Sequence, residues 1–210
     1  MSRKVANYDH APRYSEELKN KKSLVIISGG SGTGKSSIVD ILNKEEDFEK
    51  IITSTTRQPR IGEVNKKDYY FVSKELFKQE IDKGNFLEHT IYDGNYYGIH
   101  GNALSLIITK RKKNAVVVLD ATGIENLMKY CDKNFIKFFI FWLESPSLEF
   151  KVACLRKRGD EEKGIVNRLV IEEKDRKKVE NICQNLQKVL VVSDLQETAK
   201  KIIGKVRVWN

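Results

Sequence analysis

Leu24 to Ser36 reads Leu-Val-Ile-Ile-Ser-Gly-Gly-Ser-Gly-Thr-Gly-Lys-Ser, an apolar run followed by a glycine-rich turn and the start of a helical stretch. The spacing Gly29, four residues, Gly34-Lys35-Ser36 is that of a phosphate-binding loop between a strand and a helix. Glycines let backbone N–H groups curl around an anion, and the helix N-terminus adds its positive dipole end. The stretch therefore predicts an α/β fold that binds a nucleoside triphosphate.

The residues of this loop have separate predicted roles. Lys35 is predicted to reach the β- and γ-phosphates, and the Ser36 hydroxyl is placed to ligate Mg²⁺. The alternative, a chance glycine-rich turn, does not explain the lysine and serine in register after a strand. The residues expected to bind the phosphates are Gly29, Gly30, Ser31, Gly32, Thr33, Gly34, Lys35, Ser36 and Ser37.

The composition bounds the size and class of the protein. The chain has 210 residues, enough for one α/β domain with a buried core and a small insert. It contains no apolar run of about eighteen residues, so we expect no membrane partner. The three cysteines, at 131, 154 and 183, lie too far apart for a metal cluster or an obvious disulfide framework, which indicates a reducing compartment, the cytoplasm.

The formal net charge of +9 has two interpretations. A basic chain could bind nucleic acid, but no basic motif interleaved with aromatic residues occurs here. A protein that handles several phosphates at once also needs an excess of lysine and arginine. We therefore expect small phosphorylated substrates and no nucleic acid.

Strands alternate with helices along most of the chain, which predicts a parallel sheet with helices on both faces, a three-layer P-loop α/β fold. The predicted strands of this sheet cover 24–28, 50–54, 115–120, 135–143 and 189–193. The predicted helices cover 35–47, 102–112, 124–131, 147–157, 165–186 and 195–203, with a further short helix at 13–19. This core comprises 23–54 and 102–210, and 1–22 form a polar N-terminal extension.

Residues 55–101 interrupt the alternation and predict a small α+β insert. A short strand is predicted at 68–72 and another at 86–91, followed by a tight turn at 93–95. Between them, Ser73 is expected to cap a helix that ends before Gly84.

The insert carries groups suited to a phosphorylated acceptor. Arg57 and Arg60 lie three residues apart around a proline, so their guanidinium groups could converge on one phosphate. Tyr69 and Tyr97 could add neutral donors. The spacing predicts a second phosphate site besides the loop.

Two carboxylates suggest which base the acceptor carries. Glu88 lies in an apolar strand, and a carboxylate can accept from the two adjacent donors of guanine but would face an acceptor on adenine. The alternative for Glu88 is an edge-strand carboxylate exposed to water. Asp120 ends a buried strand, where α/β sheets place ligands, and its alternative role is a helix N-cap.

From Leu24 to Ile203 the chain resembles the guanylate kinase family. The motifs that carry this resemblance are Ser54-Thr55-Thr56-Arg57 with Pro59-Arg60, Gly62-Glu63-Val64 with Asp68-Tyr69, and Asn95-Tyr96-Tyr97-Gly98. The resemblance implies transfer of the γ-phosphoryl group of ATP to GMP or dGMP with Mg²⁺, by a monomer or homodimer. It also implies a helical lid at about 156–168.

The resemblance assigns roles to individual positions. Arg57, Arg60, Tyr69 and Tyr97 would hold the GMP phosphate. The residues around the base would be Thr53, Glu88 and Asp120. The catalytic cations would be Lys35, Arg57, Arg158 and Arg168, the last two in the lid.

Some positions depart from the family pattern. Gly30 replaces a proline, Ile99 stands where serine is usual, and Val118 stands where aspartate is usual. The last two leave open a kinase of this fold that acts on another nucleotide or a phosphorylated small molecule. Two further alternatives are a non-catalytic module that binds phosphorylated peptides, which typically lacks the loop lysine and the lid, and a P-loop NTPase switch.

Overall fold

The computed structural model describes residues 22–157, 159–183, 186–191 and 194–209. Several predictions fall wholly or partly outside these residues. They are the short helix at 13–19, the N-terminal extension up to residue 21, the end of the strand predicted at 189–193, positions 184–185 of the helix predicted at 165–186, and the catalytic Arg158 within the lid predicted at about 156–168.

The strands belong to two sheets. In chain order they are β1 Leu24–Gly29, β2 Phe48–Lys50, β3 Ser54–Thr55, β4 Tyr70–Phe71, β5 Phe86–Tyr92, β6 Asn95–His100, β7 Asn114–Val118, β8 Phe138–Glu144 and β9 Gln187–Leu190. The larger sheet has the order β2-β7-β1-β8-β9, and the smaller has the order β4-β3-β6-β5.

The helices alternate along the chain with the strands of the larger sheet, apart from one in the insert, and the last helix follows β9. They are α1 Lys35–Leu42, α2 Lys74–Asp82, α3 Ala103–Ser105, α4 Ala121–Lys133, α5 Leu148–Lys157, α6 Glu162–Ile182 and α7 Leu195–Trp209. A π-helical turn, Leu106–Lys110, continues α3. Within the described residues, no helix has the length and apolar character that crossing a membrane requires.

Strand β1 lies in the middle of the larger sheet, with β7 and β8 as parallel neighbours. Its apolar residues 24–27 are completely buried, as expected for a parallel strand covered on both faces. Its carboxyl end at Gly29 leads directly into the phosphate loop. The loop therefore lies at the centre of the edge where α/β sheets bind ligands.

Each face of the larger sheet carries its own apolar core. Successive residues of a strand point to opposite faces, so Leu24 lies in a buried cluster with Leu127 of α4 and Val179 of α6. Val25 lies in a second cluster with Ile38 of α1 and Ile202 of α7. Helices thus cover both faces, and the predicted three-layer α/β fold is confirmed.

The smaller sheet is held together by tight aromatic packing. The rings of Phe77 on α2 and Phe86 on β5 stack with centroids 4.3 Å apart. A Cβ atom at Gly98 would lie 2.8 Å from the Phe86 ring, so only glycine fits on β6 at this position. Ser73 caps α2 by accepting from the Leu76 amide at 3.2 Å, which confirms the predicted helix start.

Several predicted boundaries are wrong, and three of them have a clear physical reason. The strand predicted at 50–54 is two strands in different sheets, since the Ile51 amide donates to Val116 in β7 whereas the Thr53 carbonyl accepts from Tyr70 in β4. Helix α1 ends at Leu42 rather than at residue 47, because a turn brings the chain back onto the sheet at β2. The strand predicted at 135–143 begins at Phe138, since residue 135 is left-handed with φ of 54°.

Candidate active site

The phosphate loop wraps around its own lysine. The Lys35 amine donates to the carbonyl oxygens of Gly29 at 2.8 Å and Gly30 at 2.6 Å. Gly32 and Gly34 have φ of 81° and 80°, the left-handed region that glycine adopts without strain. The Thr33 hydroxyl closes the turn by donating to the Gly30 carbonyl at 2.8 Å. The lysine charge is therefore held at the mouth of the loop.

Both arginines of the insert meet on one carboxylate that sequence reasoning missed. Glu63 Oε1 lies 2.8 Å from the guanidinium of Arg57 and 3.9 Å from that of Arg60. Its Oε2 accepts the Arg60 amide at 2.7 Å. Burial acts to raise the pKa of Glu63, but these hydrogen bonds outweigh it and the pKa is lowered. The carboxylate is ionised near neutral pH and draws the two cations together.

The two predicted tyrosines surround the same arginine. The guanidinium carbon of Arg57 lies 5.4 Å from the centre of the Tyr69 ring, within reach of a cation–π contact. The rings of Tyr69 and Tyr97 lie edge to face with centroids 6.2 Å apart. The structure thus brings together the four residues predicted to hold the acceptor phosphate. Glu63 appears in the motif Gly62-Glu63-Val64, which is the signal that could have identified it.

A pocket joins the phosphate loop to the insert. Ser36 of the loop and Thr53, Glu63 and Tyr69 of the opposite side all line it, together with Val118 of β7. Thr53 is largely buried, at 8% exposure. The predicted metal ligand and the residue that gathers the arginines therefore face one space.

Glu88 is buried on β5 and is not an exposed edge-strand carboxylate. Glu88 is 1% exposed, and neither of its carboxylate oxygens has a hydrogen-bond partner among the described residues. Burial, reinforced by the nearby charge of Asp120, raises the pKa of Glu88 to about 8. A buried carboxyl group without partners costs free energy unless a ligand satisfies it.

Asp120 serves as the N-cap of α4. Its Oδ1 accepts the Gly123 amide at 2.7 Å, and its Oδ2 accepts the Thr90 hydroxyl at 3.2 Å. Burial raises the pKa of Asp120 despite these bonds. A Cβ atom at Gly123 would lie 3.2 Å from Glu88 and 3.3 Å from Asp120, so the two carboxylates border the same place. The structure therefore shows the capping role that was the alternative for Asp120.

The described lid arginine reaches three elements. Arg168 on α6 lies 2.8 Å from Asp93 of the insert and 3.3 Å from Asp160, which precedes α6. Its guanidinium also donates to the Ser31 hydroxyl of the phosphate loop at 3.4 Å. Arg158, the other predicted lid cation, lies outside the described residues.

Two acidic residues of α6 also face the site, and sequence reasoning missed both. Glu172 forms a buried ion pair with Lys151 of α5, and its carboxylate occupies the place that a side chain at Gly30 would fill. Asp175 is half-buried, and burial raises its pKa to about 6, with repulsion from Asp120 adding to the effect. Their spacing from Arg168, four and seven residues, places all three on one helix face and could have revealed them.

Comparisons with known proteins agree on one family. The family described as Guanylate kinase matches residues 21–206 of the chain. Guanylate kinase of Prochlorococcus marinus subsp. pastoris is 35% identical over 188 residues, covering 89% of this chain and 97% of that protein. Human guanylate kinase is 36% identical over 156 residues, covering 72% of this chain and 76% of that protein.

A solved structure supports the same fold. The crystal structure of guanylate kinase from Anaplasma phagocytophilum aligns with a TM-score of 0.68 and 24% identity, covering 90% of this chain and 86% of that chain. At this identity, the likeness concerns the fold alone.

Proposed function

The chain belongs to the guanylate kinase family and is an enzyme that phosphorylates GMP with ATP, and we propose that it holds the two nucleotides head to head between the phosphate loop and the insert. The observation that carries this arrangement is the shared pocket. Ser36 lines it from the loop, and Glu63, which gathers Arg57 and Arg60, lines it from the insert. In this proposal, the donor and acceptor phosphate sites open onto this one pocket.

On the donor side, the ATP phosphates bind the backbone N–H groups of the loop, residues 29–37. Lys35 and the lid arginines, Arg158 and Arg168, screen the transferring group. The contact of Arg168 with Ser31 supports its place at the donor phosphates. The role of Arg158 rests on its position in the family motif.

On the acceptor side, Arg57, Arg60, Tyr69 and Tyr97 bind the phosphate of GMP. The two guanidinium charges cancel the acceptor charge, so that a second polyanion can approach. Glu63 lines the pocket and pairs with both guanidinium groups, at 2.8 Å from Arg57 and 3.9 Å from Arg60.

Thr53, Glu88 and Asp120 form the base site. Glu88 supports this assignment most strongly, since its two oxygens have no partner among the described residues. Guanine presents two adjacent donors that would satisfy both oxygens of one carboxylate. The ligands proposed for the acceptor contact its base and its phosphate rather than its sugar, so dGMP is proposed as a second acceptor.

Mg²⁺ is proposed as the metal, with the Ser36 hydroxyl as its protein ligand. No group of three or more His, Cys, Asp and Glu residues that could hold a metal ion occurs within the described ranges. Mg²⁺ commonly takes most of its ligands from phosphates and water, so one hydroxyl fits this ion. When bound, Mg²⁺ neutralises charge on the transferring phosphate oxygens.

The reaction needs no general base. The nucleophile is an oxygen of the GMP phosphate, whose second pKa of about 6 leaves it largely deprotonated near neutral pH. Catalysis therefore comes from alignment and charge neutralisation by the fixed cations. The cytoplasm is the proposed location, because the spacing of the three cysteines gives no obvious disulfide framework.

An ADP-release assay with ATP and a panel of GMP, dGMP, AMP, UMP and CMP tests the proposal. We expect GMP and dGMP to be the preferred acceptors. Lys35→Ala should lose several orders of magnitude in turnover, and Arg57→Ala should mainly raise KM for GMP. A preference for another monophosphate, or unchanged acceptor kinetics in Arg57→Ala, would contradict the acceptor site.

A further inference from the structure

The turn between β5 and β6 brings the insert into contact with the lid helix α6. Asp93 and Gly94 form this turn with φ of 48° and 74°, the left-handed pair of a tight hairpin. The Asn95 side chain donates to the Asp93 carbonyl at 3.1 Å and helps to hold the turn. Asp93 therefore has a defined position at the tip of the hairpin.

The two carboxylate oxygens of Asp93 contact two consecutive residues of α6. Its Oδ2 lies 2.8 Å from the guanidinium of Arg168, and its Oδ1 accepts the Asn167 side-chain amide at 3.4 Å. The side chains of Asp93 and Arg168 are only 28% and 16% exposed. Partial burial strengthens such a pair relative to one in open water.

Arg168 retains donors for a phosphate while it is held in this way. A guanidinium carries five N–H donors. Nη1 donates to Ser31, Nη2 lies 2.8 Å from Asp93 and Nε lies 3.3 Å from Asp160, so these three contacts can engage at most three of the five donors. The contacts thus orient the guanidinium without using all of its capacity.

The same hairpin carries two of the proposed acceptor ligands. Glu88 lies on β5 and Tyr97 on β6, and the two strands are paired from Phe86↔His100 to Tyr92↔Asn95. A ladder of this length moves as one unit, so a movement of the hairpin toward bound GMP also moves Asp93.

We propose that Asp93 is a positioning residue that sets Arg168 over the phosphate loop and thereby couples acceptor binding to placement of the lid cation. This inference rests on the proposed function. It adds a chain-specific link between the insert and the lid, made by a residue that is not among the proposed nucleotide ligands.

The test compares Asp93→Asn with a matched control. Asparagine followed by glycine is favoured in this turn, so Asp93→Asn removes the charge and keeps the hairpin. The control is Asp82→Asn, which removes an exposed carboxylate of the same insert at the end of α2. We expect kcat of Asp93→Asn to fall about ten- to a hundred-fold, while KM for GMP at saturating ATP rises only by the lost coupling factor, about five-fold. The control should match the wild type.

Two further measurements separate positioning from a general structural effect. In an Arg168→Ala background, Asp93→Asn should change kcat by less than about two-fold, because Asp93 acts through that arginine. Calorimetry should show that GMP strengthens binding of a non-hydrolysable ATP analogue to the wild type by at least about five-fold. That factor should approach one in Asp93→Asn.

The outcomes distinguish this inference from the proposed function. A wild type that does not phosphorylate GMP overturns the proposed function. If the wild type is active but Asp93→Asn matches the control, turns over faster, or loses the same factor in the Arg168→Ala background, the inference alone is wrong.

Discussion

Replacing Glu88 by glutamine tests the buried carboxyl group through the stability of the free enzyme. Burial moves the pKa of Glu88 from 4.5 to about 8. Between these pH values, the folded protein holds a proton that the unfolded chain has released. The free energy of unfolding of the wild type therefore falls as pH rises through this window.

The size of this effect follows from the pKa change. Each pH unit inside the window lowers the free energy of unfolding of the wild type by about 1.4 kcal/mol. Over the whole window the loss is about 4 to 5 kcal/mol. Glutamine stays neutral and keeps the shape of the side chain. Glu88→Gln should therefore gain stability relative to the wild type, progressively from pH 5 to pH 8.

Urea unfolding at several pH values from 5 to 9 measures the difference in free energy of unfolding between Glu88→Gln and the wild type. Groups that titrate in both proteins contribute equally and cancel in this difference. The matched control is Glu46→Gln, at an exposed position after α1. Its stability should run parallel to that of the wild type. Glu88→Gln should also weaken GMP binding by at least about a hundred-fold, because one of guanine's donors then faces an amide N–H. A pH-independent difference between Glu88→Gln and wild type would refute the reasoning.

Three further substitutions test other contacts. Glu63→Ala releases Arg57 and should therefore raise KM for GMP about ten-fold. Steady-state kinetics should show KM for ATP unchanged, and equal effects on both substrates would contradict this prediction. Gly30→Ala places a Cβ 2.0 Å from the Glu172 carboxylate and should weaken ATP-analogue binding in calorimetry, with recovery when Glu172→Ala is added. Gly98→Ala places a Cβ 2.8 Å from a phenylalanine ring and should cost about 1 to 3 kcal/mol in urea unfolding. An unchanged midpoint would argue against that close packing.

The phosphate loop and the strand before it are predictable because several constraints coincide there. Leu24 to Ile27 must be buried on both faces, and the glycines must accept left-handed backbone before Lys35. Each local preference agrees with the position of β1 in the middle of the sheet. Such agreement makes a motif readable from sequence.

The strand prediction failed where the chain passes from the larger sheet to the smaller one. Residues 50–54 look like one strand, but hydrogen bonds to β7 give way to hydrogen bonds to β4 within three residues. Local apolar pattern does not encode which sheet a residue joins. For Asp120 the local sequence favours both a ligand role and a helix N-cap; the structure shows the cap, and the contact with the base stays a prediction.

The contacts between distant segments were not predictable in this way. The pair Asp93–Arg168 joins the insert to the lid, and neither residue's neighbours indicate the other. The acidic side chains of α6 are different, because helical spacing from Arg168 places them on its face. The sequence therefore contains a signal for these two residues.

A crystal structure with GMP and a non-hydrolysable ATP analogue tests the central claim most directly. We expect the GMP phosphate to lie on Arg57 and Arg60, facing the γ-phosphate of the analogue at Lys35 and Ser36. A GMP phosphate bound elsewhere, with both guanidinium groups turned toward solvent, would contradict the account.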